Sequence, residues 1–192
     1  MIESRPKTAL LLHGTSGSPQ SFWLPSLGRH LESCGYTVWI PQLPDADNPR
    51  LDTQLPFLLE QGRDRDFFGP KTLLAAHSAG CPLALALLEE LPAPIAKSAL
   101  VSGFLTPPPK LPHLATILRA SYDWERIQAN AGDLFIINSD NDPWGCDHHQ
   151  GMAISQASGG ALILRRGEGH MGSDTYNQPY PRFPLLERLL AS

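Results

Sequence analysis

Three side chains of this sequence have the types that covalent acyl transfer requires. Ser78 stands in Ala76-His77-Ser78-Ala79-Gly80, between an apolar run and a strongly apolar helix-like segment. A serine carried on so sharp a strand-to-helix turn is presented as a nucleophile, and the residues two before and two after it must be small. Alanine and glycine meet that demand, although the usual motif has glycine where this chain has Ala76. A hydroxyl attacks slowly until a base removes its proton. His170, in the loop Gly167-Glu168-Gly169-His170-Met171-Gly172, is the candidate base. A carboxylate must then hold the imidazole in one tautomer and stabilise its cation. Asp140 and Asp142 in Ser139-Asp140-Asn141-Asp142-Pro143 are the two candidates. Asp142 is preferred because the proline after it restricts its backbone to extended conformations and fixes its direction. Asp140 is the alternative, a turn former bonding to nearby backbone amides. The oxyanion of the intermediate needs N–H donors, which we assign to the backbone amides of Thr15 and Ala79. His13, at the end of the first apolar run, reads as structural.

Positioning these residues requires alternating elements. Residues 7–12 form an apolar run that stops at His13-Gly14-Thr15-Ser16-Gly17-Ser18-Pro19, as a strand buried on both faces should. Residues 21–33 carry Phe22, Leu24, Leu27 and Leu31 at helical spacing, with a start near Pro25 and Gly35 as the stop. Further strands are expected over 36–40, 71–76, 96–101, 134–138 and 161–164, and further helices over 51–61, 82–91, 147–157 and after His170. This alternation predicts an α/β fold: a doubly wound, mostly parallel sheet of about six strands with helices on both faces. The strand ends then share one rim, where the loops carrying Ser78, Asp142 and His170 can meet. Residues 104–120, with Pro107-Pro108-Pro109, show no periodicity and read as a short lid or rim segment.

Composition narrows the function. A chain of 192 residues, 42% of them hydrophobic, suits one domain spanning residues 1–192. The net charge of −4 leaves no basic surplus for nucleic acid or an anionic membrane. Every apolar run is far shorter than the ~20 residues of a membrane span. The N-terminus lacks the pattern of a signal peptide, so the expected location is cytoplasmic. Cys34, Cys81 and Cys146 are odd in number and lack CxxC spacing, which favours gap-filling thiols over a disulfide framework. No dinucleotide or phosphate loop motif is present, and no cofactor is expected. Asp147-His148-His149 invites a metal, but adjacent histidines on a helix point about 100° apart. The trio reads as the polar start of a helix, with Asp147 favouring its positive end.

Together these segments resemble the small serine hydrolases that include retinoblastoma-binding protein 9 and the YdeN-like proteins. His13-Gly14-Thr15-Ser16-Gly17-Ser18-Pro19 with Phe22-Trp23-Leu24-Pro25 is similar to that family's first loop and helix start. Pro41-Gln42-Leu43-Pro44-Asp45 with Asn48-Pro49 resembles its second-strand exit, and His77-Ser78-Ala79-Gly80 its elbow. Trp124-Glu125-Arg126-Ile127 with Asn130 resembles the helix before the fifth strand, while Ser139-Asp140-Asn141-Asp142-Pro143 and Gly169-His170 match the acid and base positions. The resemblance covers nearly the whole chain. It implies a compact α/β-hydrolase without a large cap, and the triad Ser78, Asp142 and His170 in the chain order this fold uses. It names no natural substrate. The chain lacks an LxCxE sequence, so no retinoblastoma-type partner is carried over. Many relatives have an aromatic residue where this chain has Met171, so a different pocket wall is expected.

The activity expected is that of a carboxylesterase acting on a small-molecule acyl substrate, with no specific protein partner. Amidase or peptidase chemistry uses the same machinery, and the sequence does not separate them. A binding or scaffolding protein that keeps the fold is the reading from another class. Trp23, Phe104, Trp124, Trp144 and Tyr176 are candidates for the acyl pocket and equally candidates for core or surface.

Overall fold

The computed structural model describes residues 6–191. Six strands, β1 (Thr8–Leu12), β2 (Thr37–Trp39), β3 (Thr72–His77), β4 (Lys97–Val101), β5 (Asp133–Ser139) and β6 (Ala161–Arg165), pair in parallel in the order β2-β1-β3-β4-β5-β6. Successive side chains of a strand point to opposite faces, so a strand with both faces covered must be apolar at every position. Leu10, Leu12, Leu74, Ala76, Leu100 and Ile136 lie in one core, whereas Ala9, Leu11, Leu73, Ala75, Ala99, Val101 and Ile137 lie in the other. The first core is covered by α2 (Leu51–Asp64), α3 (Gly80–Glu90), α4 (Trp124–Asn130) and α5 (His148–Ser158). The second is covered by α1 (Leu24–Ser33) and α6 (Pro184–Ala191). Nine of the eleven residues of α3 are buried, which is why that helix carries no polar stripe.

β1 has β2 on one side and β3 on the other, so the winding direction reverses between β1 and β3. In such sheets the reversal opens a crevice beyond the carboxyl ends of the strands. The loop after β1 and the Ser78 turn after β3 flank it.

The architecture agrees with the sequence pattern, and its boundaries add detail. β3 runs one residue further than expected, through His77, whose backbone pairs with Val101. The helix expected over 51–61 continues to Asp64 despite Pro56 within it. The rim segment contains a 3₁₀ helix, Pro112–Ile117, with Leu114 and Ile117 buried. At three residues per turn these two stack on one side, and one such pair is too short to register as a period. No described helix is long and apolar enough to cross a membrane.

Asn130, at the end of α4, donates through Nδ2 to Leu88 O (2.8 Å) and Leu91 O (2.9 Å). These carbonyls close α3, where helical donors run out. Asn130→Ala strands both in the interior. Urea denaturation should show a loss of about 1–3 kcal/mol, while the folded fraction keeps its activity because this end of α3 points away from the crevice.

Candidate active site

The turn that carries Ser78 is built by backbone constraint. Ser78 has φ +53°, a left-handed conformation that costs a non-glycine residue energy and persists only where its surroundings enforce it. Its N–H donates to Val101 O at 2.9 Å, extending the β3–β4 ladder by one bond before the chain enters α3. Neighbouring backbone then closes in. A methyl group on Gly80 would lie 2.8 Å from His13 O, and one on Gly14 would lie 2.8 Å from Ser78 Cβ. Neither position has room for a side chain. Ala76 is tolerated because it still belongs to the strand and turns its methyl into the core under α3.

Among the described residues two amides near Ser78 in the fold have no acceptor. In the loop after β1 the N–H of Ser16 donates to Ala46 O (2.7 Å) and that of Gly17 to Gly14 O (3.1 Å), which leaves Thr15 N–H unengaged. Ala79 is the N-cap of α3, so its amide sits at the positive end of a helix, where N–H groups have no intrahelical partner. Thr15 Oγ1 is also buried without a partner.

His170 and Asp142 come from the loops after β6 and β5. His170 Nδ1 lies 2.7 Å from Asp142 Oδ2, and both residues are buried. An ionised carboxylate only accepts, so Nδ1 carries a proton, and in the neutral imidazole Nε2 then keeps its lone pair. The other oxygen, Asp142 Oδ1, accepts the Trp144 N–H at 2.9 Å, which fixes the carboxylate. Among the described residues no hydrogen bond joins His170 to Ser78 Oγ; such bonds commonly tighten only with substrate in place. Asp140 is engaged elsewhere: its Oδ1 accepts the Gly167 N–H (2.8 Å), which lowers its pKa. Asn141 Oδ1 accepts the Gly169 N–H (2.8 Å), and Gln178 Oε1 accepts that of His170 (2.9 Å).

Ser78, Thr15 and His170 line one cavity of about 230 Å³, with Phe22, Leu111 and Trp144 as its apolar walls. A shallower groove of about 660 Å³ lies between Gly132–Phe135 and Ser158–Ala161, at the amino ends of β5 and β6, away from the rim where this architecture binds ligands. Of the five aromatic candidates, Trp144 alone is a wall of the smaller cavity. Tyr176 packs edge-on against it (5.0 Å), Trp23 and Phe104 are fully buried, and Trp124 packs on Tyr122 (5.2 Å). Phe22, held at φ +50°, was not foreseen as a wall. Met171 is fully buried in the α1/α6 core and is not among the cavity's lining residues, so the expectation that it shapes the wall is corrected.

His13 and Cys81 are accounted for by packing. Both ring nitrogens of His13 are engaged, Nδ1 with Gly14 O (2.8 Å) and Nε2 with the N–H of Leu43 (3.1 Å). Cys81 is buried at the start of α3, its thiol bonded to Val101 O (3.2 Å) and its pKa pushed up by burial. Among the described residues two groups of side chains bring potential metal-ligand atoms within 4.8 Å of one another, Asp142–Cys146–His170 and Asp147–His148–His149. In the first, aspartate and histidine are bonded to each other. In the second, Asp147 caps α5 by accepting the His149 N–H (2.9 Å), as its place at the helix start suggested. The two rings do not diverge as expected but lie against each other, with centroids 4.0 Å apart.

The chain as a whole is similar to known proteins. The sequence model of a family described as serine hydrolase matches residues 9–190. YdeN of Bacillus subtilis (strain 168) is 31% identical over 138 residues, which is 71% of each chain. The crystal structure of the ydeN gene product superposes with a TM-score of 0.86, at 28% identity over 96% of both chains. Est1E from Butyrivibrio proteoclasticus shares the fold, with a TM-score of 0.73 at 12% identity over 98% of this chain and 88% of its own.

Burial pushes the His77 imidazole down to about 3, helped by the neighbouring His170 ring, and lowers His13 as well. The folded protein therefore binds fewer protons than the unfolded chain, whose histidines titrate near ~6.5. Stability is full above that pH and is lost as pH falls toward 3. Denaturation at pH 7.5 and 4.5 should differ by about 2–3 kcal/mol on account of His77 alone. That part of the pH dependence should vanish in His77→Gln, and an unchanged profile would show that His77 titrates normally.

Proposed function

The chain belongs to the serine hydrolase family, and from that premise we propose that it cleaves small carboxylic esters through an acyl-enzyme formed on Ser78. The observation that carries this reading is the buried Asp142–His170 pair, 2.7 Å apart, opening on the same small cavity as Ser78. His170 Nε2 takes the Ser78 proton as Oγ attacks the ester carbonyl. The oxyanion is stabilised by the amides of Thr15 and Ala79, which lack other acceptors and cost no reorganisation in the transition state. Collapse of the intermediate breaks the ester C–O bond, and His170 returns the proton to the departing alcohol. Water then attacks the acyl-enzyme by the same route in reverse.

A cavity of about 230 Å³ is below the ~300–1,000 Å³ typical of drug-sized ligands. It favours a short acyl group. Thioesters are within the same chemistry, and amides present a poorer leaving group. Two structures that share the fold are described as esterases, PE8 and the esterase domain of a Rhodothermus marinus protein, but a fold supports many functions. The reading therefore rests on the site.

A fluorophosphonate should add once to the native chain, at Ser78, and fail to add to Ser78→Ala or His170→Ala, as read by intact mass. Asp142→Asn should lower kcat by about 10³–10⁴-fold with little unfolding, because the imidazole loses its enforced tautomer. Asp140→Asn should lower it less than about 10-fold. The opposite ranking would show that the orienting carboxylate is Asp140, and a folded, unlabelled native chain would favour a binding protein.

A further inference from the structure

The loop that presents His170 is not held by regular structure. It has positive φ at Gly167, Gly169, Met171 and Gly172, so side chains must fix its course. Two of them meet on one atom, the backbone carbonyl oxygen of His170. His77 Nε2 lies 2.9 Å from it, and Ser102 Oγ donates to it at 2.9 Å. Both come from the ends of the central strands β3 and β4, and both are buried, at 3% and 0% exposure.

Each donor has features that packing alone does not require. Ser102 adopts φ +52°, a conformation that a residue other than glycine holds at a cost, and here its hydroxyl reaches a carbonyl 68 positions along the chain. His77 must carry its proton on Nε2, because a carbonyl only accepts. Its ring is wedged edge-on against Phe22 (5.7 Å) and Trp23 (5.8 Å). Trp23 Nε1 in turn donates to the next carbonyl, that of Met171 (3.1 Å).

We propose that His77 and Ser102 are positioning residues for the base, two neutral donors that set the His170 backbone and thereby the reach of its imidazole toward Ser78. This rests on the reading of His170 as the base. Neutrality matters because His170 becomes a cation during acylation and its ring centroid lies 4.9 Å from that of His77. A charged donor there would oppose the proton transfer, and full burial of His77 keeps it uncharged.

The test compares Ser102→Ala, His77→Leu, the double variant and His77→Gln, whose amide nitrogen can stand near the place of Nε2. Unfolding temperature reports the fold, and kcat, KM, the pH profile of kcat/KM and the rate of fluorophosphonate addition report the site. Each single loss of a donor should lower kcat and the labelling rate about 10-fold, and the double variant about 100-fold or more, since small misplacement of a reacting group has effects of that size. KM should stay within about 2-fold, the acid limb of the pH profile should shift, and His77→Gln should recover most of the rate. Folded Ser102→Ala that labels and turns over at the native rate would overturn the proposal even if His77→Leu failed to fold. So would His77→Gln that is no better than a folded His77→Leu. A native chain that does not label at all would overturn the assignment of His170 as base, a failure visible before any positioning variant is compared.

Discussion

A left-handed serine at a strand end holds its conformation only if the chain around it leaves no alternative, and much of this structure supplies that enforcement. The strain at such a residue is of order 1–3 kcal/mol. Against it stand the ladders that flank β3 on both sides and an α3 buried along nearly its whole length. The turn cannot relax toward the sheet, because the loop after β1 already occupies that space with Gly14 against Ser78 Cβ. Nor can it relax toward the helix, where Gly80 abuts His13 O. Close-packed interiors transmit such constraints because they have no voids into which the chain could shift.

The loops that carry Asp142 and His170 are held by a different device. They leave neighbouring parallel strands, β5 and β6, and are laced together by side chains of the first bonding to amides of the second. Asp140 takes the Gly167 amide, Ser139 that of Glu168 (3.1 Å) and Asn141 that of Gly169. Only Asp142 reaches past the backbone to the imidazole. The segment Ser139-Asp140-Asn141-Asp142 thus divides its work, three residues fixing the loop that a fourth addresses.

The sheet was legible because two-sided burial leaves an unmistakable trace. Residues such as Leu10 and Leu11 are both apolar although they enter different cores, and no half-exposed strand would be written that way. The chain positions of Ser78, Asp142 and His170 were legible for a related reason: each follows a strand in a fold whose strand ends converge. What could not be read were contacts made across long separations. Nothing near Ser102 in sequence announces that its hydroxyl meets the His170 carbonyl, and nothing around Phe22 marks it as a wall. Met171 was misplaced because adjacency to His170 suggested the cavity, whereas its φ of +52° accompanies a side chain carried into the α1/α6 core.

The rim of the cavity is built differently from its floor. The Ser78 turn and the loops of Asp142 and His170 are tied to strands, but Leu111 enters from the segment before the 3₁₀ helix, a stretch outside the sheet. That stretch is anchored beside Leu111 by Lys110, whose Nζ donates to Pro143 O (2.9 Å) and Tyr176 OH (2.7 Å). Pro143 directly follows Asp142, and Tyr176 supports the Trp144 wall. One exposed lysine thereby links that wall of the cavity to the loop that carries Asp142. Exposed polar contacts of this kind contribute little to stability. Substitutions along the rim can therefore alter the shape of the cavity without disturbing the turn at Ser78, whose conformation is set by the sheet beneath it.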